Sequence, residues 1–339
     1  MNNGRIVQFY DISEWQEKSH YQTGGTRNKN IVENIDGGLY YFKTSLERSN
    51  NSYQYEFWSE IIASRVGAEL GFATLHYDIA WYKEKIGCHS KSMVDVDKNV
   101  LSEIVKYLCS YDNAYNPNSK ESYSQYTFGF IEESLRAHNL IDKIQCIIET
   151  IIFDSLIGNG DRHQENWGFI VPDTLKSKEK RVNKKSMIDY FKVQHRKTAN
   201  DIGIVHVPKI EFAPIYDSGS CLGRELLDVK VEQMLKDNQM LDAYLSRDRC
   251  EVRWEGAKMS HFDLIARIMT KQLNYRKVVT DKIEQVTNLF SVERIQKIIF
   301  EIDKHLPVDL SWGKLPSNRK QFMFQLISLR LGKLKEFIK

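Results

Sequence analysis

Apolar and polar positions divide the chain into a strand-rich first hundred residues and a largely helical remainder. Two short apolar runs within residues 31–43 flank Asp36-Gly37-Gly38, a turn sequence that predicts a β-hairpin. The second run ends at Lys43. Further strands are predicted over residues 6–10 and 74–81, where apolar side chains again cluster in short stretches.

Longer periodic segments predict helices. Residues 53–70 have one apolar side, and Gly71 follows where a helix C-cap belongs. Residues 140–157 predict a second helix, in which isoleucines recur at the i, i+3, i+4, i+7 spacing of an apolar face. This helix leads directly into the loop at residues 158–169.

The C-terminal third is predicted to be helical as well, and Ser291 and Ser317 are candidate N-caps. The segments with helical periodicity are residues 282–290, 291–302 and 317–338. Short strands are predicted over residues 168–171, 203–207 and 209–212. Residues 111–126 are rich in Asn, Ser and Tyr and are predicted to form a surface excursion.

Composition narrows the class of protein. The 339 residues suffice for two lobes, and 42% hydrophobic with 27% charged residues is typical of a soluble globular chain. The net charge of +3 does not argue for a nucleic-acid partner. Five scattered cysteines without a C-x-x-C pair favour a reducing compartment. No signal peptide or apolar span of about 20 residues is evident, so we expect a cytoplasmic bacterial protein. An effector exported by a non-cleaved route would have the same composition.

A basic segment at residues 175–200 interrupts the second half of the chain. It is either a solvated loop insertion or a docking patch for an acidic, antitoxin-like or nucleic-acid-bearing partner.

The chemistry is concentrated in residues 158–169, which hold Asp161 and, five positions later, Asn166. A second carboxylate, Asp217, follows a short apolar run. Phosphoryl transfer from ATP needs such a set: one Asp orients or deprotonates the acceptor hydroxyl, while an Asn and a second Asp hold Mg²⁺. The competing interpretation is that all three residues stabilise turns.

A lysine at a strand end can reach the phosphates of ATP if a carboxylate holds its ammonium. Lys43 has this position, and the following helix offers Glu56 or Glu60; we favour Glu60 because inward-facing residues follow it. A glycine-bearing loop before the hairpin is a candidate phosphate cover. Its candidate residues are Gly24, Gly25, Thr26 and Lys29. A solvated lysine and a plain surface loop are the alternatives.

His163 lacks a clustered second ligand, so a zinc site is not predicted there. We interpret Arg162 and His163 as scaffolding of the loop, with direct phosphate contact by His163 as an alternative. Trp167 and Phe169 are predicted core residues.

These motifs together resemble the HipA-like serine/threonine kinases, and within them most closely the short CtkA-type proteins that lack an N-terminal subdomain of HipA. The matching pieces are Ser59-Glu60, Leu70-Gly71, residues 160–163 with 166–169, and residues 214–222. The string Gly-Asp-Arg-His-x-x-Asn is also similar to the catalytic loop of phosphoinositide kinases. The basic segment at 175–200 departs from the family pattern.

The resemblance implies an α+β, two-lobed protein-kinase-like fold, with a sheet-rich N-lobe at residues 1–95 and a helical C-lobe at 96–339. It implies ATP and Mg²⁺ as cofactors, Asp161 as catalytic base, and Asn166 and Asp217 as metal ligands. Lys43 paired with Glu60 would bind the phosphates, and a hinge near Met93 would contact adenine. Self-regulation through a hydroxyl in the phosphate loop would use one of Ser19, Thr23 and Thr26.

The leading functional hypothesis is therefore an ATP- and Mg²⁺-dependent serine/threonine protein kinase of the toxin or effector type, which phosphorylates a protein substrate and itself. A second hypothesis keeps the fold but assigns a lipid or small molecule as acceptor. A third is a nucleotide-binding scaffold or toxin that acts by contact, which the basic segment at 175–200 motivates.

Overall fold

The computed structural model describes residues 6–18, 29–48, 51–173 and 209–339. The predicted strand at 203–207, the basic segment at 175–200 and the loop residues Gly24, Gly25 and Thr26 lie outside the described residues, as do Ser19 and Thr23. The described strands are β1 Phe9–Asp11, β2 Gln16–Glu17, β3 Lys29–Glu33, β4 Leu39–Lys43, β5 Glu47–Arg48, β6 Asn51–Ser52, β7 Asp78–Tyr82, β8 Lys85–Lys91, β9 Asn99–Glu103, β10 Gly168–Pro172 and β11 Glu211–Phe212.

A curled six-stranded sheet dominates the N-terminal part, with strand order β1-β7-β8-β4-β3-β2. Strand β1 pairs with β7 in parallel, and the other neighbours are antiparallel. The predicted hairpin is confirmed: β3 and β4 pair across a turn that the backbone N–H of Asn34 closes by donating to the carbonyl of Gly38 at 2.9 Å. Successive side chains of β4 face opposite sides of the sheet, so Phe42 enters one small core while Lys43 faces the helix at Glu56–Glu69.

The described helices follow the sheet and form most of the C-terminal part. They are α1 Glu56–Glu69, α2 Ile104–Tyr111, α3 Phe128–Ala137, α4 Ile144–Ile157, α5 Asp228–Met234, α6 Asn238–Leu245, α7 His261–Lys271, α8 Leu273–Leu289, α9 Val292–Phe300 and α10 Ser317–Lys335. Gly71 adopts a positive φ of 78° just after α1, as the predicted C-cap requires. A second, three-stranded sheet of order β11-β10-β9 lies beside α2.

Helix α4 is the centre of the C-terminal part and is buried on nearly all sides, rather than on the one face that its isoleucine spacing predicts. All of its residues are buried except Gln145, Cys146 and Glu149. Helices α7, α8 and α10 pack around it. The helix ends at Gly158, whose φ of +68° is the left-handed cap that glycine favours. A rigid, buried helix thus delivers the chain into the loop that follows.

Several predicted bounds need correction. A 3₁₀ turn at Ile141–Lys143 precedes α4, so the helix begins later than residue 140. The strand expected at residues 6–10 is β1 at Phe9–Asp11, and that expected at 74–81 is β7 at Asp78–Tyr82.

Two local predictions hold only in part. Ser291 caps its helix by accepting from the N–H of Arg294, as predicted, but Ser317 is the first residue of α10 and Pro316 holds the cap position. Residues 111–126 are not purely a surface excursion, because Tyr115 and Tyr126 are buried. The Tyr126 hydroxyl donates to the carbonyl of Arg162 at 3.3 Å, which ties this segment to the loop after α4.

Candidate active site

The loop after α4 fixes the backbone of Asp161 from both sides. The N–H of Asp161 donates to Oδ1 of Asn159 at 3.2 Å, and its carbonyl accepts from Nδ2 of Asn166 at 2.7 Å. Asn159 is itself buried and held by Asp154 at 3.0 Å. The five-residue spacing between Asp161 and Asn166 therefore closes a compact turn, in which Asn166, the predicted metal ligand, also stabilises the backbone of Asp161.

Arg162 is the hub of this loop and is 1% exposed. Its guanidinium forms a bidentate pair with the Asp154 carboxylate, at 2.9 Å for both Nε to Oδ2 and Nη2 to Oδ1. It also donates to the carbonyls of Asn166 and Tyr216 and to Oγ of Ser218. The Asp154 carboxylate beside it outweighs the effect of burial and raises the pKa of Arg162, which stays charged. Arg162 is thus a scaffold, as the sequence predicted.

The segment from Ala213 to Ser220 brings the second acidic group to the same place. Parallel pairing between Thr74 and Ile215 anchors the segment beside the entry to β7. Asp217 has a φ of +55°, a left-handed conformation that aspartate adopts more readily than most side chains. Three residues later, the Ser220 hydroxyl lies 3.0 Å from Oδ2 of Asp161. The two acidic residues are therefore linked through one short stretch of chain.

Lys43 and Glu60 meet this segment from the N-terminal side. The Lys43 ammonium lies 2.9 Å from Oδ1 of Asp217 and 3.5 Å from Oε2 of Glu60. Glu60 accepts at shorter range from the backbone N–H groups of Ser218 (2.8 Å) and Gly219 (3.1 Å). Glu60, rather than Glu56, is therefore the carboxylate that joins α1 to Lys43, and its stronger contacts go to the chain after Asp217.

Two carboxylates hold the Lys43 ammonium in its charged form. Burial alone would lower the pKa of Lys43, but the carboxylates of Asp217 and Glu60 raise it well above the usual value. The ammonium is therefore charged at any physiological pH. A second cation, Lys29, opens strand β3 opposite Lys43 and places its Nζ 3.7 Å from Oδ2 of Asp217. Two lysines thus converge on one carboxylate.

Lys29 consequently lies on a strand and not in the phosphate-covering loop to which the sequence assigned it. Glu56, the alternative partner considered for Lys43, instead pairs with Arg224 and accepts from the N–H of Leu46 at 2.9 Å.

His163 is half-buried, and its Nδ1 lies 3.4 Å from the N–H of Glu165. These contacts agree with a scaffolding role for His163.

A cleft of about 380 Å³ opens beside these groups. Its walls come from the six-stranded sheet, the strand β9 region and the loop after α4, and they combine apolar side chains with the charged groups described above. The lining residues are Lys29, Tyr41, Lys43, Leu75, Tyr77, Ser90, Met93, Val94, Leu101, Glu103, Lys106, Glu165, Asn166 and Tyr216. Met93 and Val94, near which the hinge was expected, are among them. Burial raises the pKa of Glu103 in this wall.

The C-terminal end of α4, where the loop begins, is held by the last long helix. The Arg330 guanidinium donates to the carbonyl of Ser155 at 3.0 Å and lies 3.5 Å from the Asp248 carboxylate. A Cβ added at Gly158 would lie 2.7 Å from Nη2 of Arg330 and would displace that guanidinium, and the φ of +68° disfavours any other residue here. Asp248 also contacts the buried His261 at 2.7 Å, and the interactions of His261 with Cys250 and Asp248 outweigh its burial and raise its pKa to about 10.

Sequence reasoning missed several residues that build the site. Asp154 is hidden in the apolar run of α4, and Arg330 belongs to no recognisable motif. Asn159 and Ser220 lie within the segments that the motifs cover, but neither was predicted to have a role. The one available signal was Asp154 itself, because a carboxylate inside an apolar helix needs a buried partner. Within the described residues, no group of three or more His, Cys, Asp or Glu side chains could hold a metal ion, and no helix could cross a membrane.

Comparison with solved structures identifies the fold of the chain. The chain aligns with the crystal structure of the proinflammatory kinase CtkA of Helicobacter pylori over 98% of its own length and 97% of that chain, with a TM-score of 0.69 at 17% sequence identity. The chain has a CtkA-type kinase fold. It also aligns, over 95% of its length and 66% of that chain, with a toxin–antitoxin structure of Shewanella oneidensis MR-1 that contains HipA, HipB and operator DNA. That match has a TM-score of 0.50 at 14% identity. No protein-family model and no curated protein sequence matches the chain.

The CtkA-type fold accounts for nearly the whole chain. Because the alignment covers almost the full length of both proteins, the C-terminal helices, which the sequence motifs matched only in general terms, belong to the shared architecture. The predicted two-lobed α+β class is confirmed.

Proposed function

We propose that this protein is an ATP- and Mg²⁺-dependent serine/threonine protein kinase that also phosphorylates itself. The observation that carries the proposal is the contact of the Lys43 ammonium with Asp217 at 2.9 Å, beside a cleft that Lys43, Glu165 and Asn166 help to line. A buried, permanently charged lysine in a cleft of this size suits the phosphates of a nucleotide. The CtkA-type fold supports the choice of phosphotransferase.

Lys43 and Lys29 would bind the phosphates. Glu60 would hold Lys43 and the backbone after Asp217 in place relative to each other. The adenine would occupy the apolar wall near Met93. Gly24, Gly25 and Thr26 would cover the phosphates, and His163 would stabilise the loop at residues 158–169. Each role uses interactions that gain strength as the cleft excludes water.

Asn166 and Asp217 have the chemistry that Mg²⁺ requires. The Asn166 amide nitrogen is committed to the carbonyl of Asp161, so this side chain can offer only its oxygen to a metal. Asp217 contributes carboxylate oxygens, and Mg²⁺ prefers such hard ligands together with phosphate and water. When bound, Mg²⁺ would neutralise charge on the phosphates.

Asp161 would accept the proton of the acceptor hydroxyl. Its backbone is fixed by Asn159 and Asn166, so its carboxylate is presented from a rigid turn. Most of the rate enhancement would come from positioning and charge neutralisation, since phosphoryl transfer asks for little covalent work from the protein.

The test compares Asp161→Asn with the exposed Asp142→Asn as a matched control. With labelled ATP, we expect Asp161→Asn to lower self-phosphorylation by about 10²–10⁴-fold, while ATP affinity and unfolding temperature stay near wild type. The control should label itself at the wild-type rate. Equal labelling of Asp161→Asn and wild type would refute the role of Asp161.

The same labelling experiment separates the acceptor classes. Protein, lipid and small-molecule products are resolved after incubation with labelled ATP; label in lipid alone would replace the protein-kinase proposal. A scaffold that acts by contact would keep its effect in a variant lacking both Asp161 and Asp217.

A toxin-type role with an antitoxin-like protein partner is the finer part of the proposal. It is supported by the toxin–antitoxin complex of HipA and HipB, in which a chain of similar fold is found. We expect a partner to change the self-phosphorylation rate when the two proteins are co-expressed, and an unchanged rate would argue against this role.

A further inference from the structure

Ser220 contacts the acidic group at the centre of the candidate site, although the sequence analysis gave it no role. Its Oγ lies 3.0 Å from Oδ2 of Asp161, a distance suited to a hydroxyl that donates to a carboxylate. The two residues are 59 positions apart in the sequence, so only the fold brings them together.

The backbone that carries Ser220 is held rigidly. The N–H groups of Ser218 and Gly219 donate to the Glu60 carboxylate at 2.8 and 3.1 Å. Oγ of Ser218 accepts from Arg162 at 3.0 Å. A Cβ at residue 219 would lie 3.1 Å from Oε2 of Glu60, so glycine lets this segment approach α1 closely. The Ser220 hydroxyl is therefore delivered from a fixed frame, not from a loose loop.

The orientation of the Asp161 carboxylate depends on the contacts that the side chain itself makes. Asn159 and Asn166 fix its N–H and carbonyl, but the terminal torsion of an aspartate is broad. A hydroxyl that donates to one carboxylate oxygen selects among these orientations. The carboxylate must also face the acceptor for proton transfer, within about 2.6–3.2 Å.

We propose that Ser220 is a positioning residue that sets the orientation of the Asp161 carboxylate relative to the nucleotide. This role rests on the kinase activity proposed above. Because Ser220 follows Asp217 by three residues, the segment that presents a metal ligand also aligns the base. Any shift of Asp217 on nucleotide binding is thereby transmitted to Asp161 through covalent structure and one hydrogen bond.

The test uses Ser220→Ala and Ser220→Thr, with Ser246→Ala as the matched control at an exposed serine. We expect Ser220→Ala to lower kcat about tenfold, the effect of losing one charge-assisted hydrogen bond, with KM for ATP changed less than twofold. Ser220→Thr keeps the hydroxyl and should recover kcat to within about threefold of wild type. Ser246→Ala should match wild type.

Three results would overturn the proposal. One is a wild-type kcat for Ser220→Ala, and another is a Ser220→Thr variant as slow as Ser220→Ala. The third is mass-spectrometric detection of transferred phosphate on Ser220, which would make this residue an acceptor instead.

Failure of the kinase proposal itself has a different signature. If wild-type protein transfers no phosphate to any acceptor, the proposed function fails, and a double-mutant cycle with Ser220→Ala and Asp161→Ala then decides the contact by thermal unfolding. Non-additive shifts of Tm support the Ser220–Asp161 coupling, and additive shifts refute it.

Discussion

Replacing Arg162 by lysine tests whether this side chain holds the candidate site together. The guanidinium makes five hydrogen bonds, to both Asp154 oxygens, the carbonyls of Asn166 and Tyr216, and the Ser218 hydroxyl. A lysine ammonium keeps the charge but has three donors and no planar fork. At least two buried acceptors would lose their partner.

The magnitude follows from the burial of these groups. Each acceptor left without a donor in the interior costs about 1–3 kcal/mol, and breaking a buried ion pair costs about 3–5 kcal/mol. Because the lysine retains part of the pairing with Asp154, we expect Arg162→Lys to lower the free energy of unfolding by about 3 kcal/mol. This loss is large beside the 5–15 kcal/mol typical of folded domains.

Urea unfolding measures the difference, with Arg136→Lys as the matched control. Arg136 makes the same type of ion pair with Glu132 at 2.9 Å, but its side chain is 61% exposed. The control should change the free energy of unfolding by less than about 0.5 kcal/mol. A loss below about 1 kcal/mol for Arg162→Lys, or one equal to that of the control, would refute the assignment of Arg162 as the hub.

Three further predictions concern other parts of the molecule. Lys43→Met should weaken MgATP binding at least about tenfold in calorimetry, and unchanged binding would contradict its phosphate role. Gly87→Ala should destabilise the protein, because the added Cβ would lie 2.1 Å from the Lys43 carbonyl oxygen. Its control, Gly332→Ala, meets open space on a helix and should stabilise the protein by about 0.5–1 kcal/mol. Equal urea midpoints for the two variants would contradict this prediction. Burial lowers the pKa of His89 from 6.5 to about 4, so below pH 6.5 the unfolded chain binds a proton that the folded chain excludes. Stability should then fall by about 1.4 kcal/mol per pH unit toward pH 4, and His89→Phe should lose this slope in urea unfolding measured from pH 7 to 5.

Local signals were sufficient to predict the elements that present the site. The turn at Asp36-Gly37-Gly38 fixes the hairpin that ends at Lys43, and the glycine after α4 marks where the loop begins. These signals work because they depend on neighbours within a few residues, where backbone sterics and hydrogen bonds decide the conformation.

The contacts that assemble the site could not be predicted in the same way. Glu60 accepts a hydrogen bond from the backbone N–H of Ser218, which lies 158 positions later in the chain. Because every residue except proline has a backbone N–H, the sequence does not show which one Glu60 contacts. The isoleucine spacing of α4 predicted one buried face, but Asp154 is buried as well because it pairs with Arg162. The helix pattern alone does not reveal that pairing. Sequence motifs predicted the reacting groups, whereas the surrounding polar network appeared only in three dimensions.

The contact of Arg330 with the end of α4 has a consequence for the order of events during synthesis. Arg330 donates to the carbonyl of Ser155 and covers Gly158, so the loop after α4 acquires its support only once residue 330 has left the ribosome. A nascent chain whose Asp161 and Asp217 have left the ribosome still lacks the contact with Arg330. Under the proposed function, phosphoryl transfer would therefore begin only after α10 has packed against α4.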